Sequence, residues 1–148
     1  MILTFTGTRH GMTFLQRVQV AGLIAELKPE IVNHGDCVGA DAEFHELVRL
    51  RLPDTKIVIW PGPDGPFRAH KKGDEIKPEM THLARNRAMV DAASVVVGTP
   101  YEMERQERGG TWYTIGYARK KKRDRYVVWP GGGIGDVDRE PIHTPEVK

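Results

Sequence analysis

The sequence predicts a single three-layer α/β domain of about five parallel strands and four main helices, and three observations carry that prediction. Short apolar runs rich in β-branched residues alternate with stretches of helical periodicity, which is the signature of parallel strands joined by crossover helices. Two of the runs, Ile57-Val58-Ile59 and Val95-Val96-Val97, are continuously apolar, as strands covered on both faces are. The length of 148 residues suits one domain, and 39% apolar with 28% charged residues is the balance of a folded globule.

Residues 2–6 form the first strand. They carry no basic segment and no small-residue cleavage site, so they do not read as a secretory signal, and a cytoplasmic location is expected. Thr13 is placed to cap the first helix, where Phe14, Val18, Ala21 and Ala25 fall on one face, and Pro29 closes it. Residues 30–33 make the second strand. Ala40, Phe44, Leu47 and Val48 give the next helix its apolar stripe, leaving Glu43, Glu46 and Arg49 outward, and Pro53 stops it. The third strand covers 56–60. Residues 61–79 hold four prolines and three glycines, too many for a regular element, and follow a strand's carboxyl end, so they are read as a lid. The third helix covers 81–93 and buries Leu83, Val90 and Ala93; the fourth strand covers 94–98, the fourth helix 111–121 and the fifth strand 125–129. The domain is thus residues 1–130. Residues 131–148 open on three glycines, have little apolar content and are expected to be a flexible tail.

Several function classes drop out early. No run approaches the ~20 apolar residues of a membrane span. Cys37 is the only cysteine, which excludes an internal disulfide and a multi-cysteine metal site. The histidines, His10, His34, His45, His70, His82 and His143, show no paired zinc-ligand spacing, so no metal is expected, and no cofactor is called for. The net charge of +2 is too small to require nucleic acid or an anionic membrane as partner. The dense run from Arg119 to Arg125 reads as a solvated cap at a helix end.

In an open parallel sheet, ligands bind beyond the strands' carboxyl ends, where strand order reverses. The first strand leads there into Gly7-Thr8-Arg9, the second into Gly35-Asp36 and the fourth into Gly98, while Gly109-Gly110-Thr111 opens the fourth helix. Glycine lets a ligand approach the backbone, and exposed amides at a helix N-terminus suit phosphate. Arg85, Asn86 and Arg87 extend the set: Asn86 and Arg87 share a helical face with Leu83 and Val90, which aims them at the interior or a crevice edge. His34, Trp60, Trp112, Tyr113 and Tyr117 are weaker additions, each equally at home in packing, and Cys37 reads as a small buried residue.

Taken in order, Gly7-Thr8-Arg9, His34-Gly35-Asp36-Cys37-Val38-Gly39-Ala40-Asp41, Arg85-Asn86-Arg87-Ala88-Met89 and Gly109-Gly110-Thr111 resemble the pattern of the SLOG superfamily, nearest to its YspA-like branch. The resemblance implies a Rossmann-like fold whose crevice holds a nucleotide or nucleotide-derived ligand, in a sensor or processing protein, with Gly7, Thr8, Arg9, Gly35, Asp36, Arg85, Asn86, Gly98, Gly109, Gly110 and Thr111 as contacts. Related folds pair through their helices, so a homodimer is expected. The Lonely Guy branch implies an alternative, cleavage of a nucleoside monophosphate's N-glycosidic bond, with Arg87 catalytic. That branch's glutamate is Thr114 here, so Asp36 or Asp41 would have to replace it. The DprA-type branch implies single-stranded DNA binding; Gly35, Gly39, Asp41 and His45 match its motif, but its arginine is Val38 here.

Overall fold

The computed structural model describes residues 1–135. A mostly parallel sheet is flanked by two helices on each face, so the chain is one three-layer α/β domain of Rossmann-like type. The five expected strands are β1 (Ile2–Gly7), β2 (Ile31–His34), β3 (Lys56–Ile59), β5 (Val95–Thr99) and β6 (Asp124–Val128). Two additions widen the sheet. β4 (Glu75–Ile76) pairs parallel with β3, correcting the reading of residues 61–79 as wholly irregular, and β7 (Ile134–Gly135) pairs antiparallel with β6. The order is β4-β3-β2-β1-β5-β6-β7, so the chain winds outward both ways from β1 and β5. Their carboxyl ends, Gly7 and Thr99, lie opposite each other at the switch point. Beyond β7, residues 136–148, and with them His143, lie outside the described residues.

Helix α1 (Phe14–Leu27) begins where Thr13 predicts: Thr13 Oγ1 accepts the Gln16 amide at 3.0 Å, and Gln16 Oε1 accepts the Thr13 amide at 2.9 Å. The same Gln16 corrects the expected apolar stripe. Its Nε2 donates to Pro100 O and Val128 O, both at 2.9 Å, which turns Gln16 inward and carries Val20, Leu23 and Ile24 onto the core face. Phe14 and Val18 are left 68% and 50% exposed, and Ala25 is also outside. Apolar residues occur around the whole helix, so periodicity alone had no single solution. We therefore expect Ile24→Ala to cost ~2–5 kcal/mol and Val18→Ala to stay within ~0.5 kcal/mol, as read from urea unfolding midpoints.

Helix α2 (Ala40–Arg51) buries Ala40, Phe44 and Val48 as expected, with Phe44 stacked on Phe5 of β1 at 4.3 Å. Helix α3 (His82–Asp91), capped by Thr81, is rotated from the expected register: Arg85, Asn86, Met89 and Val90 are buried, whereas Leu83 is 49% exposed. Helix α4 (Gly110–Lys120) packs beside α3. Under α3 the sheet carries a polar ladder. Thr4 Oγ1 donates to Met89 O at 2.7 Å, Asn33 Nδ2 donates to Thr4 Oγ1 at 3.2 Å, and Trp60 Nε1 donates to Asn33 Oδ1 at 2.9 Å, so these three side chains satisfy one another and the backbone of α3. No helix among the described residues is long and apolar enough to cross a membrane.

Candidate functional site

A cavity of about 560 Å³ opens over the switch point. Gly7, Thr8 and Arg9 at the carboxyl end of β1, Gly35, Cys37 and Asp41 around β2 and α2, Arg85 and Asn86 of α3, and Gly109, Gly110 and Thr111 at the start of α4 all line it. The expected turns therefore converge, and the mouth of α4 is not plugged by a side-chain cap. Thr8 N donates to Thr99 O and Ala40 N to Thr8 O, which fixes the β1 turn between β5 and α2. Glycine is obligatory at two positions for packing. A Cβ on Gly7 would sit 2.4 Å from Thr99 Oγ1 and 2.5 Å from Ala40 Cβ, and one on Gly39, at φ +89°, would meet the Arg9 carbonyl oxygen at 2.3 Å.

The three arginines divide. Arg9 is exposed, makes no hydrogen bond or ion pair among the described residues, and lies with its guanidinium 4.6 Å over the Phe67 ring at the cavity edge. Arg85 is buried and committed to protein acceptors. Its Nη1 donates to Gly35 O at 2.8 Å and Trp60 O at 3.0 Å, its Nε to Asn86 Oδ1 at 2.6 Å, and its Nη2 to His82 Nδ1 at 3.1 Å. It braces the cavity floor instead of standing free for an anion. Arg87, expected to be catalytic, does not line the cavity; it is exposed and Nη1 donates to Tyr113 Oη at 2.9 Å across the α3–α4 face. The helix turns 100° per residue, so burying Arg85 and Asn86 carries Arg87 outward.

Asp36 departs from its expected role as well. At φ +59° and 1% exposed, it aims its carboxylate at residues 61–79, accepting Arg68 Nε at 2.7 Å, Lys71 N at 2.9 Å and His70 N at 3.1 Å, while its carbonyl accepts Ala69 N. Together with the bond from Val38 N to Phe67 O, this straps the segment read as a lid onto the β2–α2 loop and sets Phe67 against the cavity. Gly98 is also a correction: it does not line the cavity, and a Cβ there would meet Ile115 Cδ1 at 2.6 Å, so the glycine admits α4 to the sheet. Thr114 is buried and donates to Gly110 O within α4.

Asp41 remains as the buried carboxylate of the cavity. Its Oδ2 accepts the Gly35 amide at 3.1 Å and the Cys37 amide at 3.2 Å. Burial pushes its carboxyl up to about 6, against the pull of Arg85 and the two amides. Burial, reinforced by the Asp41 charge, also pushes the Cys37 thiol up to about 12, which rules it out as a nucleophile at neutral pH. His34 lies beneath the site. Its Nδ1 accepts the Asp36 amide at 2.9 Å, so Nε2 carries the hydrogen and donates to His45 Nδ1, also at 2.9 Å.

Sequence reasoning did not assign His10, Phe67, Tyr101 or Glu102. His10 lies against Tyr101 with ring centroids 4.3 Å apart, and Glu102 Oε1 accepts the indole N–H of Trp112 at 2.8 Å. In the cationic run Arg119, Lys120, Lys121 and Lys122 are exposed at the carboxyl end of α4, as expected of a solvated cap, while Arg123 donates to Val90 O and Asp91 O and so caps the carboxyl end of α3. Among the described residues no group of three His, Cys, Asp or Glu side chains is arranged to hold a metal.

No family model matches the sequence, and no curated protein matches it either. Two solved structures are similar to the chain. The molybdenum cofactor binding protein of the phototrophic bacterium Rippkaea orientalis superposes with a TM-score of 0.60 at 16% identity, over 86% of this chain and 76% of that one. The Moco carrier protein of Chlamydomonas reinhardtii gives a TM-score of 0.49 at 18% identity, over 88% and 75%. At such identity, the first of these likenesses establishes that the chain has a Rossmann-like fold.

Proposed function

We propose that the cavity binds a phosphate-bearing, nucleotide-type small molecule, as the YspA-like resemblance implies, and that the protein is a binding or sensing protein for it. One observation carries this reading: an uncapped helix N-terminus, two glycine turns and a guanidinium with no hydrogen-bond or ion-pair partner among the described residues meet on one cavity at the switch point. The α4 amides and Arg9 supply the anion pole. Asn86, whose amide nitrogen lies 3.9 Å from where a Gly110 Cβ would be, adds a neutral donor beside them. Phe67 and Tyr101, both about half exposed at the rim, offer faces on which a heterocycle can stack. Glycosidic hydrolysis is the weaker reading, because Arg87 and Asp36 stand away from the cavity and Thr114 is spent inside its helix.

Thermal shift tests the proposal with mononucleotides, dinucleotides, ADP-ribose and cyclic nucleotides. The molybdenum cofactor for which the Rippkaea protein is named is a phosphate-containing ligand of the same broad class and joins the panel. A true ligand at a hundred times its Kd stabilises by ~2.7 kcal/mol, several degrees for a chain of this size; silence across the panel would refute the reading. Hydrogen bonds to charged groups contribute about 1.5–3 kcal/mol. We accordingly expect Arg9→Ala to weaken binding by roughly ten- to a hundredfold, and Arg87→Ala to leave it nearly unchanged.

A further inference from the structure

We infer that Asp41 reads a hydrogen-bond donor on the ligand, a ribose hydroxyl or an N–H of the heterocycle, through the carboxylate oxygen that its backbone partners leave unused. The inference rests on the binding function proposed above and adds what the second pole of the cavity recognises.

A carboxylate is an unexpected lining for an anion site, since it repels phosphate and costs desolvation. Asp41 is 5% exposed, yet it borders the cavity. Both of its backbone hydrogen bonds go to Oδ2, and the side-chain donor beside the carboxylate is the Cys37 thiol, a weak one. Nor is Oδ1 sealed in, because the buried side-chain polar atoms without a partner are Thr99 Oγ1 and Trp129 Nε1. The charged and titratable groups around it are Arg85 and His82 from α3, Cys37 from the loop before α2 and, elsewhere on the cavity wall, Arg9, His10 and Glu102. Arg85, the nearby cation that favours the ionised form, gives its N–H groups to other acceptors, and Cys37 stays a thiol. Oδ1, which no backbone donor takes, is therefore left for the ligand on the cavity wall.

This arrangement makes Asp41→Asn an informative variant. The Gly35 and Cys37 amides hold the side-chain oxygen in place, so the new NH2 group turns to the cavity and presents a donor where the ligand also presents one. Protonation of the wild-type carboxyl has the same effect, because Oδ2 is occupied and the proton goes to Oδ1.

Isothermal titration of wild type and Asp41→Asn decides the matter. The probes are whichever of AMP and GMP binds more tightly, its dideoxy analogue lacking both ring hydroxyls, and purine riboside monophosphate, which lacks the exocyclic donors. Wild type should lose about tenfold or more with one of the two analogues, which names the donor, and the variant should bind the parent nucleotide at least tenfold more weakly with that preference abolished. Below pH 6 the affinity ratio of wild type to variant should fall towards one; the phosphate titrates alike in both and cancels. Equal binding of all three probes by wild type, or a variant that keeps both affinity and preference, overturns the inference while leaving the binding function standing. Failure of wild type to bind AMP or GMP, alongside a positive response elsewhere in the panel, moves the same paired comparison to that ligand; failure throughout refutes the binding function and this inference together.

Discussion

Asp36→Ala is expected to destabilise the protein by about 3 kcal/mol, because it strands two backbone amides and leaves a mostly buried guanidinium with only its longer ion pair to Glu79, at 3.6 Å. The carboxylate is 1% exposed and holds Arg68, His70 and Lys71, so its loss frees the segment that sets Phe67 at the cavity edge. For this chain length the unfolding midpoint should drop by roughly 10 °C, and limited proteolysis should cut between residues 61 and 79 first. Asp36→Asn retains an acceptor and a side chain that tolerates φ +59°, and should lose markedly less. A midpoint within a degree of wild type for Asp36→Ala would show that the strap contributes nothing.

The second large effect is acid lability. Burial, helped by the charges around His45 and Arg85, holds His34 down to about 3, and burial also lowers His45. The folded state thus binds fewer protons than the unfolded one, whose histidines titrate near 6.5. The stability tied to this pair is complete above pH 6.5 and is lost as pH falls towards 3. Asp41 acts with the opposite sign. Its folded carboxyl, held at about 6, takes up a proton before the unfolded one at 3.8 does, so the fold gains stability as pH falls through that window. The His34 displacement, from 6.5 to about 3, exceeds that of Asp41, from 3.8 to about 6, so the net change is a loss. Urea midpoints should decline shallowly from pH 6 to 4 and steeply below it. Asp41→Asn removes the offset and should decline more steeply across pH 6 to 4, by up to about 1.4 kcal/mol per pH unit. Parallel profiles for the two proteins would contradict the assignment.

The order of elements, the strand ends and the turns that line the cavity were legible from residue types because they depend on local chemistry. Thr13 with Gln16 writes a helix start, β-branched runs write buried strands, and glycine pairs write the turns. Rotational register was not legible. Phe14 and Val18 fit an inward stripe as well as Val20 and Ile24 do, and the choice between them was made by the two carbonyls that Gln16 reaches 84 and 112 residues away. Asp36 looked like a ligand contact because it follows a strand at the crevice; its carboxylate is turned aside by Arg68 and two amides from a segment 32 to 35 residues later.

What this sequence determined by itself is a parallel three-layer domain with glycine turns and an open helix start gathered above the carboxyl ends of its strands. Tertiary structure alone decided which charges those turns meet. Burial makes every polar group seek a partner, and the partners came from distant segments: Arg85 was taken by the carbonyls of Gly35 and Trp60, Arg87 by Tyr113 and Asp36 by Arg68, leaving Arg9 and Asp41 on the cavity wall.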